Sequence, residues 1–218
     1  VEHEIDLTLD AGFVPIGTVD FSLPDIRPLA ALALETAEGD LRGTVSFTRD
    51  GEVPRAKISA RSGAITRGDV SAKTVTIDAD IADFIANPTV SGTMRAAEAK
   101  SGTTVAKDID VTLSRDGPWT RLSGGTKLDD NPVKAAGRVK IENGVTTVEL
   151  ASGDATFRGI KASVARPSAV TVSGGQATLD RLALAVGGGN VTVSGTAGAT
   201  LNLTATLAQV PAALANNF

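Results

Sequence analysis

The sequence contains no cysteine and no tyrosine, and it has one histidine, one methionine and one tryptophan. Without cysteine the chain cannot form a disulfide, a thiolate metal site or a cysteine nucleophile. Its single histidine, His3, is not placed to serve a serine in a catalytic triad. These absences exclude several common enzyme classes and predict that the chain is not an enzyme.

Aromatic residues make up 3% of the chain, and the formal net charge is −4. Nucleic-acid-binding proteins usually present a basic surface, and those that bind single strands add aromatic side chains for base stacking. The composition therefore predicts no nucleic-acid partner.

The chain has no run of 18 apolar residues, so no segment is long enough to cross a bilayer as a helix. It starts at Val1 and opens with no signal-peptide pattern. We therefore expect a mature product or an excised fragment of a longer protein, with any membrane link outside this sequence.

Apolar and polar residues alternate along almost the whole chain. Clear examples are residues 5–9, 41–47, 109–113 and 201–207. Because successive side chains of a strand point to opposite faces, each such segment predicts a strand with one apolar and one polar face. The pattern predicts a dozen or more short strands and an all-β fold.

Glycine-rich pairs separate these strands, at Asp50-Gly51, Gly124-Gly125, Asn143-Gly144, Gly174-Gly175 and Gly187-Gly188-Gly189. Asp-Gly and Asn-Gly between alternating segments are typical of hairpin turns, since these residues tolerate positive φ. Most connections are too short for a parallel sheet with crossover helices. We expect an elongated antiparallel or meandering sheet.

Three short helices are expected between or after strands. They span Asp25 to Glu35, with Asp25 as the N-cap, Asp80 to Asn87, ending before Pro88, and Val210 to Asn217. Each is too short to be stable without docking on a sheet.

The dipeptide Gly-Thr recurs in similar settings at Gly43-Thr44, Gly92-Thr93 and Gly195-Thr196. The spacing suggests units of roughly fifty residues, typical of stacked β architectures. We therefore expect residues 1–218 to form a single elongated β domain of loose repeats.

The apolar positions hold mostly Val, Leu, Ile, Ala and Gly, with few bulky rings. A closed sandwich of this size normally fills its centre with several aromatic side chains. Two explanations remain open: a thin, solenoid-like core packed with small residues, or a concave sheet whose apolar interior takes a ligand.

Four sequence features suggest chemistry, and each has a more ordinary explanation. The cluster from Glu2 to Asp6 has metal-ligating residues but is better explained as a solvated leading strand, so no metal is expected. Gly187 to Gly189 precedes a strand rather than a helix, which favours a turn over a phosphate loop. Asp129-Asp130 has turn composition, and Trp119 is better explained as a packing residue than as a ligand platform. No cofactor is predicted.

The C-terminal part of the sequence combines a Gly-rich segment (182–196) ending in Ser-Gly-Thr, an alternating strand (201–207) and a short Leu/Ala segment introduced by proline (210–216). This succession of segments resembles the sequence pattern of the TamB family, the inner-membrane-anchored component of the translocation and assembly module of Gram-negative bacteria. Residues 19–44 are similar to a second copy of this pattern, and residues 80–93 are similar to a third, divergent copy. The chain departs from the family by ending within a copy of the pattern that the family would continue.

The resemblance implies a periplasmic segment of a protein anchored in the inner membrane, folded as a U-shaped "β-taco" or solenoid with an apolar concave interior. It implies a role in carrying phospholipid or other acyl chains between membranes and in outer-membrane protein assembly and autotransporter secretion. The implied partner is an outer-membrane barrel of the Omp85 type. A fragment of such a sheet would have unpaired edges, so edge-to-edge self-association is also expected.

The first functional hypothesis is a lipid conduit whose groove is lined by inward apolar residues. The alternatives are a structural β-solenoid or adhesin-like passenger with a packed interior, and a polysaccharide-acting β-helix enzyme. The residues expected to line the lipid groove are Leu41, Val45, Phe47, Val75, Ile77, Ile109, Val111, Leu184, Val191, Val193, Leu201, Leu203 and Leu207.

Overall fold

The structure is a computed structural model that describes residues 4–10, 12–32, 36–128, 130–157 and 159–210. The described residues form sixteen strands and one short helix, and this confirms the all-β class. None of the described helices is long and apolar enough to cross a membrane. The elements are β1 (Glu4–Leu9), β2 (Pro15–Leu23), α1 (Arg27–Leu32), β3 (Glu38–Gly39), β4 (Leu41–Asp50), β5 (Val53–Arg67), β6 (Val70–Ala82), β7 (Thr89–Ser101), β8 (Thr104–Asp116), β9 (Trp119–Leu128), β10 (Asn131–Glu142), β11 (Val145–Phe157), β12 (Ile160–Arg166), β13 (Ser168–Ser173), β14 (Gln176–Val186), β15 (Gly189–Ala197) and β16 (Leu201–Ala208).

The chain divides into two compact units, residues 1–115 and 116–218. In the first unit the strand order is β1-β2-β4-β5-β6-β7-β8, and β3 also pairs with β5. All of these pairings are antiparallel. The first unit is therefore a meander in which nearly every strand pairs with its sequence neighbours, as the short connections predict.

In the second unit the order is β9-β10-β11-β12-β14-β15-β16, and β13 pairs with β11 and β14. These pairings are also antiparallel. The short strands β12 and β13 follow one another between β11 and β14, separated by Pro167. Proline has no backbone N–H to donate to a ladder, so it is a natural place for a strand to break.

Most predicted hairpin turns are confirmed. Asn143 and Gly144 have φ values of 52° and 74° in the turn between β10 and β11, the geometry that Asn-Gly favours. Gly174-Gly175 and Gly187-Gly188 also have positive φ in hairpin turns. Gly187 to Gly189 therefore forms a turn and the start of a strand, as the sequence predicts.

The interpretation of Gly124-Gly125 as a turn is wrong. Both residues lie inside β9, where they pair with Ala135 and Lys134 of β10. Two glycines can remain in a strand when both flanks carry strand-forming residues and partners on the next strand. Several strands are also long rather than short, and β5 alone has 15 residues.

The first predicted helix is confirmed in a shorter form, as α1. The N-cap position belongs to Ile26, whose carbonyl accepts the first helical hydrogen bond from Ala30, so the assignment of Asp25 as N-cap is wrong by one residue. The Asp25 carboxylate still accepts a hydrogen bond of 3.0 Å from the backbone N–H of Arg27 in the first turn. The predicted helix bounds extend past α1 into residues 33–35, which lie outside the described residues. The helix predicted from Val210 to Asn217 lies almost entirely outside them as well.

The helix predicted from Asp80 to Asn87 is wrong. Asp80 to Ala82 belong to β6, where Ala82 pairs with both Arg55 and Thr89. Asp83 then turns the chain with a φ of 52°, and its carboxylate accepts hydrogen bonds from the backbone of Ala86 and Asn87. Strand pairing and this local turn together outcompete a short helix that would make few contacts.

The repeated glycines Gly92 and Gly195 occupy equivalent environments inside strands. Their φ values are 149° and 137°, and a Cβ atom at either position would lie 2.1 Å from a backbone oxygen of the adjacent strand. Only glycine permits this close approach. At these two positions, the Gly-Thr repeat is explained by the close approach of the adjacent strand's backbone, which leaves no room for a side chain.

A line of irregular positions crosses four strands of the first unit, at Gly63, Thr74, Ala97 and Asp108. Their neighbours pair in regular register on both sides, but these positions are skipped in the ladder. Thr74 and Asp108 have φ values of 51° and 52°. We call this line the unit-1 crease. The apolar alternation of β6 shifts by one residue across the crease, from Val70 and Ala72 to Val75 and Ile77, while the strands keep the same register on both sides.

Candidate functional site

The candidate residues of the first unit share one face of its sheet. Directly opposed residues of antiparallel strands lie on the same face, so the register assigns the faces. Val45 of β4 pairs with Val19 of β2 and Ile58 of β5. Continuing across the sheet, the same face carries Ala79 of β6 and Gly92 of β7.

We call this the unit-1 apolar face, and it extends over β1, β2 and β4 to β8. The sequence candidates on it are Leu41, Val45, Phe47, Val75, Ile77, Ile109 and Val111. Further apolar residues that the sequence candidates omit lie on the same face: Ile5, Leu7, Leu9, Val19, Phe21, Leu23, Ile58, Ile81, Val90, Met94 and Leu113.

The opposite face of the first unit is polar and held by cross-strand contacts. Ser59 donates a hydrogen bond of 2.8 Å to Asp78, and Arg95 forms an ion pair of 2.7 Å with Asp110. Thr44 donates a hydrogen bond to Asp20. Such contacts give the sheet a hydrated surface without drawing charge onto the apolar face.

The candidate residues of the second unit also share one face. Val191 pairs with Leu184 and Leu207, and Val193 pairs with Leu182 and Ala205. We call this the unit-2 apolar face. Its sequence candidates are Leu184, Val191, Val193, Leu201, Leu203 and Leu207, and it continues through Leu122, Val133, Val139, Val148, Leu150, Ile160, Val164, Val170, Val172 and Leu179.

Bulges keep these apolar residues on one side. The register shifts at Ala136/Gly137 in the pairing of β10 with β11, and between Leu179 and Leu182 in the pairing of β14 with β15. An extra residue reverses the alternation of a strand. In β14 this allows Leu179 and Leu182, which are three positions apart, to face the same way.

The polar face of the second unit holds Trp119. The Arg138 guanidinium lies 4.2 Å from the ring centroid and the Lys140 ammonium 5.4 Å from it, both within cation–π range. Arg138 also forms an ion pair of 2.6 Å with Glu149, which raises the pKa of the guanidinium. Trp119 thus packs among cross-strand cations, in agreement with the interpretation as a packing residue.

Both apolar faces remain partly accessible. Among the described residues no side chain is fully buried, and every sequence candidate is half-buried or exposed. The few apolar residues that are buried are mostly alanines: Val14, Ile26, Ala56, Ala60, Ala96 and Ala183. The candidate residues therefore form broad aliphatic surfaces rather than a packed core within either unit.

Among the apolar residues within described strands, exposure is greatest on β1 and β16. On β1, Ile5 and Leu9 are 66% and 64% exposed, and on β16, Leu201 and Leu207 are 72% and 63% exposed. Among the described residues, β1 pairs only with β2 and β16 only with β15. Large exposed aliphatic surface is unusual for a protein that has no partner for it.

Charged residues at one end of the first unit are neutralised by ion pairs. Asp80 contacts Arg55 and Arg115. Burial acts to raise the pKa of Asp80, but the hydrogen bond and charge of Arg115, with help from Arg55, hold the pKa below its usual value. At the β1–β2 turn, Asp10 accepts backbone hydrogen bonds from Val14 and Gly12 and pairs with Arg49 at 2.5 Å.

Other sequence features do not form a site within the described residues. No group of three or more His, Asp or Glu side chains there could hold a metal ion. Of the Glu2 to Asp6 cluster, residues 1–3 lie outside the described residues, and Glu4, Ile5 and Asp6 belong to β1. Asp129 lies outside the description too, while Asp130 has a φ of 62° in the β9–β10 turn.

Two cavities lie on the polar side of the second unit, and no sequence candidate lines either of them. One, of about 530 Å³, includes Arg166, Asp180 and Arg181. The other, of about 580 Å³, includes Lys134 and Lys161. The sequence interpretation missed both. Pro167 within an alternating segment was the one local signal for the first.

Comparison with known proteins returned no matching protein family, no similar curated protein and no similar solved structure.

Proposed function

We propose that this chain is a non-enzymatic segment of a membrane-bridging protein that shields phospholipid acyl chains along the unit-1 and unit-2 apolar faces. The observation that carries the proposal is the register: every sequence candidate lies on one face of its unit, and that face is not buried. An aliphatic surface of this kind can hold acyl chains by hydrophobic transfer, worth about 0.8 kcal/mol per buried CH₂.

Apolar contact is non-directional, so an acyl chain held on such a surface can shift along it without breaking specific bonds. The two polar faces carry ion pairs and hydroxyl groups suited to water. A sheet with one face for lipid and one for solvent fits transport through an aqueous compartment. The periplasmic location, the inner-membrane anchor and an Omp85-type partner remain part of the proposal, supported by the sequence resemblance.

A purely structural role requires a packed, dry interior. The absence of any fully buried side chain among the described residues favours the lipid-binding proposal over that alternative.

The direct test introduces a charge at one of two adjacent positions of β15, one on the unit-2 apolar face and the other on the polar face as its control. Val193 and Thr192 are both half-buried on β15, but they point to opposite faces. The purified protein is incubated with phospholipid vesicles, separated from them and examined by native mass spectrometry. We expect Val193→Asp to reduce retained phospholipid at least about tenfold, a loss of about 1.4 kcal/mol, and Thr192→Asp to retain it.

Circular dichroism would check that both variants keep their strand content. Equal lipid retention by wild type, Val193→Asp and Thr192→Asp would refute the assignment of the face.

A benzophenone amino acid placed at Val111, with Thr112 as the opposite-face control, extends the test to the first unit. Crosslinking to lipid is expected at Val111 only.

A further inference from the structure

The polar cavity of the second unit is produced by a break in the strand ladder. On β11, Leu150 pairs with Ser168 of β13, and the next pairing is Asp154 with Ser163 of β12. The intervening residues of β11 face the gap around Pro167. On the far side, β14 bulges between Leu179 and Leu182. Two irregular strands thus flank an open cavity of about 530 Å³.

The pairing of β12 with β14 also shifts register, between Val164 and Arg166, and both of these strands send charged side chains to the cavity. Arg166 is the last residue of β12, and Asp180 and Arg181 form the bulge of β14; all three are exposed and line the cavity. Within the described part of the chain, neither guanidinium nor the Asp180 carboxylate forms an ion pair or a side-chain hydrogen bond. By contrast, Glu149, which also lines the cavity, is already paired with Arg138.

A hydroxyl group completes the lining. Ser194 contributes it from β15, where its neighbour Val193 lies on the unit-2 apolar face and Ser194 therefore on the polar face. Ser168 also borders the cavity, but it is directly opposite Leu150 of the unit-2 apolar face, so its side chain belongs to that face.

We propose that this cavity binds a small zwitterion that carries a phosphoryl group and an ammonium group. Two unpaired guanidinium groups on different strands can grip a group with three or more oxygen acceptors, and arginine is suited to bidentate phosphate binding. The unpaired Asp180 carboxylate supplies the complementary acceptor for an ammonium group. The chemistry is that of phosphorylethanolamine, free or as a lipid headgroup. The site lies on the polar side of the unit, so it does not depend on the proposed acyl-chain surface.

The first experiment titrates the full chain with O-phosphorylethanolamine by isothermal calorimetry, with phosphorus NMR as a second readout. We expect saturable binding that weakens with salt. Arg166→Gln and Arg181→Gln should each raise Kd about tenfold, the scale of a charge-assisted hydrogen bond. Arg61→Gln is the matched control, since Arg61 is also exposed and forms no ion pair with a described residue, but lies in the first unit.

Asp180→Asn should change the affinities for two ligands in opposite directions. Removing the carboxylate should tighten binding of inorganic phosphate about twofold, because it removes repulsion, and weaken binding of phosphorylethanolamine about fivefold. A purely structural role of Asp180 would change both in the same direction. If Arg166→Gln unfolds, Arg166→Lys keeps the charge without the planar fork and should raise Kd to a smaller extent.

Two further ligands complete the test. Dihexanoyl phosphatidylethanolamine distinguishes a lipid headgroup from the free compound, and β-alanine tests whether the site requires a phosphoryl group. Dihexanoyl phosphatidylethanolamine with the same Kd as phosphorylethanolamine would show that the headgroup is sufficient, and markedly tighter binding would identify the lipid as the natural source; either supports the site. The proposal is overturned if wild type shows no saturable binding, if Arg61→Gln weakens binding as much as Arg166→Gln, or if β-alanine binds as tightly as phosphorylethanolamine.

Discussion

Asp40 shows how one side chain can complete an interrupted ladder. Its carboxylate accepts hydrogen bonds of 2.9 Å from the backbone N–H of Gly63 and 3.1 Å from that of Ala64. Gly63 belongs to the unit-1 crease, where the strand on the other side provides no regular pairing. These backbone hydrogen bonds, from Gly63 first and Ala64 second, hold the pKa of Asp40 below its usual value of 3.8.

A lowered carboxylate pKa in the folded state adds stability above the unfolded pKa, and this stability is lost as pH falls through the folded pKa. Asp40→Asn should therefore lower the free energy of unfolding at neutral pH, and the difference from wild type should shrink in acid, below pH 3.8. Urea denaturation across this pH range measures it. Asp69→Asn, at an exposed turn where the side chain makes no hydrogen bond with a described residue, should change stability little. A constant difference at all pH values would contradict the explanation.

Gly195 predicts a second residue-scale effect. A Cβ atom there would lie 2.1 Å from the Asn202 backbone oxygen, at a φ of 137°. We expect Gly195→Ala to cost about 2–4 kcal/mol in the free energy of unfolding, because the strands must separate and the backbone is strained. At Gly125, also inside a strand, the nearest atom would be 3.4 Å away. Gly125→Ala should be close to neutral, and equal losses in chemical denaturation would refute the close-approach argument.

At the scale of elements, β4 and β5 place two arginines directly opposite each other. Arg42 pairs in register with Arg61, and neither forms an ion pair within the described residues. In the second unit, Arg138 and Arg121 are also opposed, but each has a carboxylate partner. Like charges at directly opposed positions destabilise a strand pair.

Replacing one of the opposed arginines by glutamate should therefore stabilise the first unit. We expect Arg61→Glu to raise the free energy of unfolding by about 0.5 kcal/mol at low salt, and less at high salt. Arg42→Glu should act similarly, while the double variant restores like-charge repulsion and loses the gain. Thermal and urea denaturation of this double-mutant cycle provides the check. Additive gains in the double variant would show that the two side chains do not interact.

Most strands could be predicted from sequence because alternation with a period of two is a local signal. The turn at Asn143-Gly144 could also be predicted from sequence, since both residues tolerate the positive φ values that the turn needs. The segment from Asp80 to Asn87 was misread because its helical pattern was weaker than the pairing of Ala82 with strands on both sides. That pairing is non-local, and local propensity carries no information about it.

The candidate site was partly predictable for the same reason. Alternation alone assigns Val191 and Val193 to one face of β15, but only the register shows that Leu184 and Leu207 share it. The polar cavity around Pro167 could not be predicted, because it needs a strand break and a bulge on a neighbouring strand at the same level. Bulges leave a faint sequence signal, a single shift in the alternation.

At the scale of the whole molecule, the terminal strands combine apolar exposure with unshared edges. β16 has the sequence LNLTATLA, all of its residues are exposed, and it contains no charge and no proline. Native proteins usually protect such an edge with lysine, proline or a covering segment. Among the described residues β16 pairs only with β15. We therefore expect the chain to self-associate at this edge.

A charge on β16 should suppress this association. Thr206 of β16 and Thr192 of β15 are directly paired, so they lie side by side on the polar face, but β15 has a strand on each side. In sedimentation velocity over a concentration series, wild type should shift to larger species as concentration rises. Thr206→Lys should reduce that shift, because each added strand would have to accommodate an unpaired ammonium at the edge, whereas Thr192→Lys should behave as wild type. Equal suppression by both variants would place the association on the polar face instead, and a monomer at all concentrations would show that the β16 edge does not pair.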